Sequence, residues 1–361
     1  MSATVVAVCG DPGGANAVAP VIELLRAEGR LAVRALAYAE AHTLWTGRGL
    51  AHEVLSEQTT PADVANQLAA AQFLLAGTSA NRYDFEKQFI AAARAAMIPS
   101  LSVLDFWSNY ALRFSDSKGD LIYLPDRIAV MDELACQEMQ ADGIAAARIV
   151  VTGHPAWDSL AATRAAFTLA QRRTLRQQCG LAEGDWLIIY ASQPIPPADR
   201  SCEWFDREAA VEALIAAIES VAQRQGKGAL LLIRCHPKEG RLPFRHRSSE
   251  RIRIETQVGG DGRPWLLAAD AVVGMATMLL VESALLGRPT LSLRLGLDGI
   301  DPFPANRSGL VRAVYRREPV AAALESLLLS PPAVQTLPAL AGNASRNVAD
   351  LVYSALQIAV T

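Results

Sequence analysis

The sequence predicts an α/β protein made of two doubly wound domains. Short β-rich apolar runs alternate with Ala-rich helical runs along the whole chain, and they do so in two blocks. The strand candidates are apolar on both sides rather than alternately, as strands are when helices cover both faces of a parallel sheet. A length of 361 residues with 51% hydrophobic content is enough for two cores of ordinary size.

In the first block the strand candidates are Thr4–Cys9, Leu31–Ala37, Gln72–Ala76, Pro99–Leu104, Arg127–Met131 and Arg148–Thr152. Helices such as Ala15–Glu28 and Asp84–Met97 lie between them. A polar helix around Thr163–Cys179 and the turn GLAEGD (Gly180–Asp185) form the join. The second block has strands at Trp186–Ala191, Ala229–Arg234, Ile252–Glu255, Ala271–Gly274 and Thr290–Leu293, with helices at Asp206–Gln225 and Met278–Leu286. A last helix spans about Leu337 to Val360. The expected organisation is a first domain over 1–162, a linker helix over 163–185, a second domain over 186–336 and a C-terminal helix over 337–361.

Composition narrows the class. A formal net charge of −3 gives no reason to expect nucleic-acid binding. Five scattered cysteines, Cys9, Cys136, Cys179, Cys202 and Cys235, form no C-x-x-C pair and fit a reduced cytoplasmic protein. The N-terminus begins a strand at once, with no signal-peptide pattern. The longest apolar run, Trp265–Leu286, is interrupted by Asp270 and Glu282, which argues against a spanning helix and leaves a peripheral membrane contact open.

In doubly wound sheets ligands bind beyond the carboxyl ends of the strands, so the residues following each strand are the candidates. The stretch Ala268–Leu293 is the most informative. A strand ends at Gly274, a small-residue turn runs through Met275, Ala276 and Thr277, and a helix starts at Met278. A helix N-terminus offers amide N–H groups and partial positive charge to a phosphate, and Gly274 and Ala276 leave room for one to approach. Glu282, one turn on, is placed to accept hydrogen bonds from ribose hydroxyls. In the same block, LLLIRCHPKE sets His236 past a strand end with Lys238 two residues later, a cationic pair suited to phosphates. YASQPIPP (Tyr190–Pro197) adds Ser192 and Gln193 as donor-site candidates.

The first block supplies the acceptor side. CGDPGGAN places Asp11 at a strand end, where a carboxylate can take a proton from a hydroxyl. Gly13 and Gly14 make a flexible turn, with Asn16 just inside the helix. The missing Lys-Ser/Thr pair excludes a P-loop. LDFWSNYALRF carries Asp105, an alternative base, together with Trp107, Asn109 and Arg113, a mixture suited to a sugar or lipid-linked acceptor. VTGHPAWDSL places His154 after a glycine near the join, on the acceptor side or as a structural turn.

Together these pieces resemble the GT-B-type glycosyltransferase superfamily. GMATMLLVESALLGRP is similar to the donor-site turn and helix of lipid A disaccharide synthases. VTGHPAWDSL resembles the strand and turn leading to the domain junction in those enzymes and in UDP-GlcNAc 2-epimerases. CHPKE resembles the His-Pro motif of GT-B sialyltransferases and CDP-glycerol phosphotransferases, whose histidine contacts the donor phosphate. DFWSNYALRF is similar to a segment of uncharacterised surface-polysaccharide proteins. The resemblance covers most of the chain in layout and these short motifs in detail. It implies two Rossmann-like domains with a cleft between them.

There are departures. Asn16 stands roughly where some GT-B enzymes have a catalytic histidine, which leaves the base role to Asp11 or Asp105. Ala276 and Thr277 fall where sialyltransferases have paired serines, which puts CMP in doubt. Ser283 follows Glu282 where 2-epimerases carry paired glutamates. No D-x-D motif and no ligand-spaced His/Asp/Cys set is present, so no metal and no cofactor is expected.

The leading expectation is a metal-independent inverting transfer from a UDP-, CMP- or CDP-linked sugar to a glycan, lipid-linked or small-molecule acceptor in surface polysaccharide biosynthesis. In it His236 and Lys238 stabilise the leaving phosphate. The alternatives are a nucleotide-sugar 2-epimerase or hydrolase on the same fold, and a non-catalytic nucleotide-sugar-binding protein.

Overall fold

The structure is a computed structural model of the chain and describes residues 3–79, 83–194, 206–236, 239, 244–330 and 342–359. The chain divides into two compact units, Met1–Ser159 with Pro338–Thr361, and Leu160–Leu337.

Unit 1 is laid out in chain order as β1 (Thr4–Cys9), α1 (Pro12–Glu28), β2 (Ala32–Ala37), α2 (Ala39–Arg48), β3 (Glu53–Val54), α3 (Pro61–Leu68), β4 (Phe73–Ala76), α4 (Phe85–Ala95), β5 (Ser100–Val103), β6 (Arg127–Val130), α5 (Glu133–Ala141) and β7 (Ile149–Val151). Its sheet is parallel throughout, in the order β3-β2-β1-β4-β5-β6-β7. Val5 of β1 registers with Val33 of β2 on one side and Phe73 of β4 on the other. The strand order reverses between β1 and β4, so their carboxyl ends flank the crevice where such sheets take ligands.

Unit 2 opens with α6 (Leu160–Ala166) and α7 (Leu169–Gln178), then β8 (Trp186–Ala191), α8 (Arg207–Gln225), β9 (Ala229–Cys235), β10 (Ile252–Val258), α9 (Arg263–Ala268), β11 (Ala271–Gly274), α10 (Met278–Leu285), β12 (Thr290–Leu293), α11 (Pro304–Arg307), β13 (Arg312–Val314) and α12 (Val320–Leu329). Its parallel sheet runs β10-β9-β8-β11-β12-β13 and repeats the topology of unit 1, with the reversal between β8 and β11.

The chain finishes with α13 (Ala344–Ala355), whose Val348, Ala349, Val352 and Tyr353 are buried in the core of unit 1 with Val18, Ile22 and Leu25 of α1. Full burial of each such aliphatic side chain is worth about 1.5–3 kcal/mol.

Several elements differ from the sequence expectation. The linking helix is two helices, broken at Phe167 and Thr168. The Thr168 side chain accepts from Gln171 N at 3.2 Å while Gln171 Oε1 accepts from Thr168 N at 2.8 Å, a capping box that starts α7 afresh. Helix α1 begins at Pro12, three residues before Ala15, because proline at the first position is preset for a helix. Strand β10 runs on to Val258, following β9 as far as Cys235. The expected start of the last helix at Leu337 lies outside the described residues. Among the described residues no helix is long and apolar enough to cross a membrane.

Candidate functional site

Unit 1 gathers three carboxylates beneath the carboxyl ends of β1, β4 and β5. Asp11 is the N-cap residue of α1, with extended backbone, and its side chain does not cap the helix. The turn that carries it is held from below. Asp11 N donates to Ser79 Oγ at 2.8 Å, and Gly10 N donates to Glu86 Oε1 at 2.9 Å. Glu86, on the first turn of α4, is buried and also accepts from the Ser79 and Tyr38 hydroxyls. Burial pushes its carboxyl up to about 7 against the opposing pull of those hydroxyl donors. Glu86 was not a sequence candidate. Its signal was a carboxylate in the apolar stripe Glu86, Phe89, Ile90 and Ala93, where a solvated face would have been ordinary.

The second carboxylate, Asp105, is committed to an ion pair. Its Oδ1 accepts from Arg113 Nη1 at 2.6 Å and from Thr78 Oγ1 at 3.0 Å. Arg113 is buried and also donates to the carbonyls of Thr78 at 2.5 Å and Ser108 at 3.0 Å. Asp105 Oδ2 lies against the first turn of α1, 1.6 Å from where a Cβ on Gly13 would stand. Gly14 is packed less tightly, with a Cβ there in contact with Gly77 Cα at 3.4 Å. The glycines were expected to leave space for an acceptor. Instead the space is filled, by the Asp105 carboxylate and by the backbone after β4.

His154 is buried. Its Nε2–H donates to the Asp105 carbonyl at 3.1 Å, which fixes the tautomer and leaves Nδ1 to accept from Ala156 N at 3.3 Å. Burial holds its pKa below the usual histidine range, so the ring is neutral, and it stacks on Trp157 with centroids 4.6 Å apart. It braces the backbone of Asp105.

Trp107 is also buried, and its indole N–H donates to Asp132 Oδ2 at 2.8 Å. Asn109 and Asn16 are exposed, Asn109 at φ 56°. The aromatic loop therefore packs Trp107, Tyr110 and Phe114 into unit 1 and presents Asn109.

In unit 2 the turn after β11 is built on its neighbours. A Cβ on Gly274 would lie 2.8 Å from the Ala191 carbonyl, so this glycine serves the approach of β8 rather than a ligand. Met275 is buried in the core, and its carbonyl accepts from Ser292 Oγ at 2.5 Å. Ala276 N donates to Gln193 Oε1 at 2.7 Å, which ties the loop after β8 to the loop after β11. Thr277 caps α10, accepting from Leu279 N at 3.3 Å, and Met278 is partly exposed on its first turn.

Ser192 Oγ donates to Glu239 Oε1 at 3.1 Å, Arg207 donates to the same oxygen at 2.5 Å, and His236 N donates to Glu239 Oε2 at 2.9 Å. Glu239 thus organises Ser192 and the His236 backbone. Lys238 lies outside the described residues. Glu282 sits one turn into α10, where its Oε2 accepts from Arg263 Nε at 3.1 Å. Burial pushes its carboxyl up and Arg263 pulls it back.

Arg263 and the buried Arg234 were missed from the sequence. Arg263 has no motif around it; Arg234 lies inside LLLIRCHPKE but within the apolar strand, and only the fold brings it, at the end of β9, beside the loop before α9. Among the described residues no three His, Cys, Asp or Glu side chains converge as metal ligands would.

No described protein family and no curated protein matches the chain by sequence. Solved structures do match in fold. UDP-GlcNAc 2-epimerase from Methanocaldococcus jannaschii superposes with a TM-score of 0.71 at 13% identity, covering 97% of this chain and 99% of that one. UDP-GlcNAc 2-epimerase from Neisseria meningitidis, solved bound to UDP-GlcNAc, gives 0.68 at 14% identity, covering 97% and 100%. The Anabaena protein HepE, solved with UDP and glucose, gives 0.60 at 13% identity, covering 98% and 96%. The chain has the GT-B layout of two Rossmann-like α/β units, and its neighbours in fold are UDP-GlcNAc 2-epimerases and related proteins.

Proposed function

We propose that the chain is an enzyme that binds a nucleoside-diphosphate sugar on unit 2 and acts on its sugar as a 2-epimerase or hydrolase. The observation that carries this reading is the near-complete coverage of solved 2-epimerases, 97% of this chain against 99–100% of theirs. Local features of unit 2 agree with it. The first turn of α10 offers partial positive charge to a diphosphate. Glu282 is a half-buried carboxylate one turn further on, already oriented by Arg263 and able to exchange that partner for ribose hydroxyls. Unit 1 supplies a carboxylate for proton transfer. Asp11 suits this better than Asp105, whose Oδ1 is engaged by Arg113 and Thr78.

Inverting glycosyl transfer is the second reading. Ser283 favours it, because this buried hydroxyl, hydrogen-bonded to Thr290 at 2.8 Å, stands beside Glu282 where the 2-epimerase resemblance calls for a paired glutamate.

Incubation of a panel of UDP-, CDP-, CMP-, GDP- and dTDP-sugars without any acceptor, followed by NMR of the sugar protons, separates the two. Inversion at C2 or release of free sugar is the expected result. A donor that stays intact until an acceptor is added gives the second reading. A protein stabilised by no nucleotide overturns both, since a ligand at about 100 times its Kd would add roughly 2.7 kcal/mol. With the substrate in hand, Asp11→Asn is expected to lower kcat by about 10²–10⁴, the usual range for a general acid–base group, and to leave nucleotide affinity near wild type. Full turnover in a folded Asp11→Asn variant would move the proton transfer elsewhere.

A further inference from the structure

We propose that Arg234 binds a phosphate of the ligand beside the first turn of α10, an assignment that rests on the nucleotide-sugar reading and gives its anionic part a specific partner. Arg234 stands at the carboxyl end of β9, on the opposite side of the strand from the core residues Ile233 and Cys235. It is 7% exposed. One guanidinium nitrogen, Nη2, donates to the Gly260 carbonyl at 2.8 Å. The other, Nη1, is buried and makes no hydrogen bond among the described residues.

Among the described residues no carboxylate lies within ion-pair distance of it. Asp261 acts on it only from further away, and burial is the larger influence, lowering its pKa. Contrast the other buried guanidinium groups. Arg113 has Asp105 at 2.6 Å, and Arg294 has Asp301 at 3.4 Å. A buried charge with neither counter-ion nor full hydrogen bonding is costly, and an anion is the partner that removes the cost.

The surroundings bring the guanidinium near a helix start. A Cβ on Gly262 would fall 3.2 Å from Leu279 Cδ1 and 3.7 Å from Arg234 Nη2, so the bare glycine lets the loop before α9 pack closely against both the guanidinium and a side chain from the first turn of α10. That helix is eight residues long and its first turn holds no acidic residue, so its positive end is not neutralised locally. A guanidinium close to the first turn of a helix suits a phosphate oxygen, which can accept from Nη1 while the helix dipole offsets its charge.

Calorimetric titration of wild type, Arg234→Met and Arg234→Lys with UDP, uridine and inorganic pyrophosphate tests this. Arg234→Met is expected to weaken UDP and pyrophosphate by about 10–100-fold, the worth of one charge-assisted hydrogen bond, and to leave uridine within about threefold. Arg234→Lys should recover part of the loss. The melting temperature of unliganded Arg234→Met should be no lower than that of wild type. Equal weakening of uridine and UDP would place the guanidinium on the nucleoside and overturn the assignment. So would unchanged UDP and pyrophosphate affinity, or a destabilised unliganded variant. If wild type binds pyrophosphate through Arg234 and binds no nucleotide, the anion site stands and the nucleotide-sugar reading falls.

Discussion

The two units repeat one topology and electrify it with opposite sign. At the switch point of unit 1 stand Asp11, Glu86 and Asp105, with Arg113 as the buried cation that pairs with Asp105. Around the corresponding point of unit 2 stand Arg234 and Arg263, with Glu282 pairing Arg263. Unit 1 has paired its buried arginine completely enough to fix Asp105 through Thr78, Arg113 and the backbone brace of His154. Unit 2 leaves a guanidinium nitrogen of Arg234 unmet among the described residues. The difference teaches that the shared sheet sets where a ligand can lie, while the side chains past the strand ends decide what each half can do. An acidic, preorganised crevice suits moving a proton, and a cationic, unsatisfied one suits holding phosphate.

The sharpest way to break this comparison is to remove one buried arginine from each unit. Arg113→Met strands the Asp105 carboxylate, which is 14% exposed, and should cost about 3–5 kcal/mol in urea unfolding, as loss of one partner of a buried pair does. Arg234→Met removes a charge without a counter-ion and should cost nothing in the unliganded protein. Similar losses in the two variants would mean that Arg234 contributes as much to the fold as the ion-paired Arg113 and that the contrast between the units is false.

The next effect concerns pH. Glu86 holds its proton up to about 7 in the folded protein because burial disfavours the carboxylate, whereas in the unfolded chain it ionises near 4.5. The folded state therefore binds the extra proton between those values, and stability from this group is full below pH 4.5 and lost as pH rises through 7. The shift corresponds to on the order of 3 kcal/mol. Subtracting the unfolding free energies of Glu86→Gln from those of wild type across pH 4.5–8 should give a difference that falls by that amount with rising pH. A flat difference would show that the Tyr38, Ser79 and Gly10 donors outweigh burial and keep Glu86 ionised throughout.

The sequence revealed the sheets well because buried parallel strands are apolar on both faces, and β1, β8, β11 and β12 fall on the ranges read from it. It missed β3 and β13, which are two and three residues long, sit at the sheet edges and carry exposed residues, so no apolar run marks them. Site legibility followed proximity in sequence. Asp11, Gly13 and Gly14 lie in one loop, as do Ala276, Thr277 and Glu282 in one turn and helix, and a motif shows them together. The partners that give these residues their chemistry come from elsewhere in the chain. Ser79 reaches Asp11 across 68 positions, Glu86 reaches the neighbouring Gly10 across 76, and Gln193 reaches Ala276 across 83. No local pattern predicts such a contact. The glycines illustrate the limit. Gly13 and Gly274 read as openings for a ligand, and both are closed by the protein itself.

Those two glycines supply the last and smallest test, because they are closed by different kinds of atom. In Gly13→Ala the new Cβ would fall 1.6 Å from Asp105 Oδ2, the end of a side chain that can rotate if it gives up Arg113 and Thr78. In Gly274→Ala it would fall 2.8 Å from the Ala191 carbonyl, backbone that pairs in the sheet and cannot swing aside, with the Leu280 methyls 3.3 Å away. Overpacking of a rigid core costs about 1–3 kcal/mol. Gly274→Ala should pay that in stability by shifting β11 against β8, and it should weaken nucleotide binding only through the movement of the turn. Gly13→Ala should lose stability through the displaced ion pair and weaken nucleotide binding not at all, since the damage stays in the acidic half. Denaturant melts and UDP titrations of both variants check the pair of outcomes. If Gly13→Ala weakens UDP more than Gly274→Ala does, the nucleotide is held by unit 1, and the division of labour between the two halves is reversed.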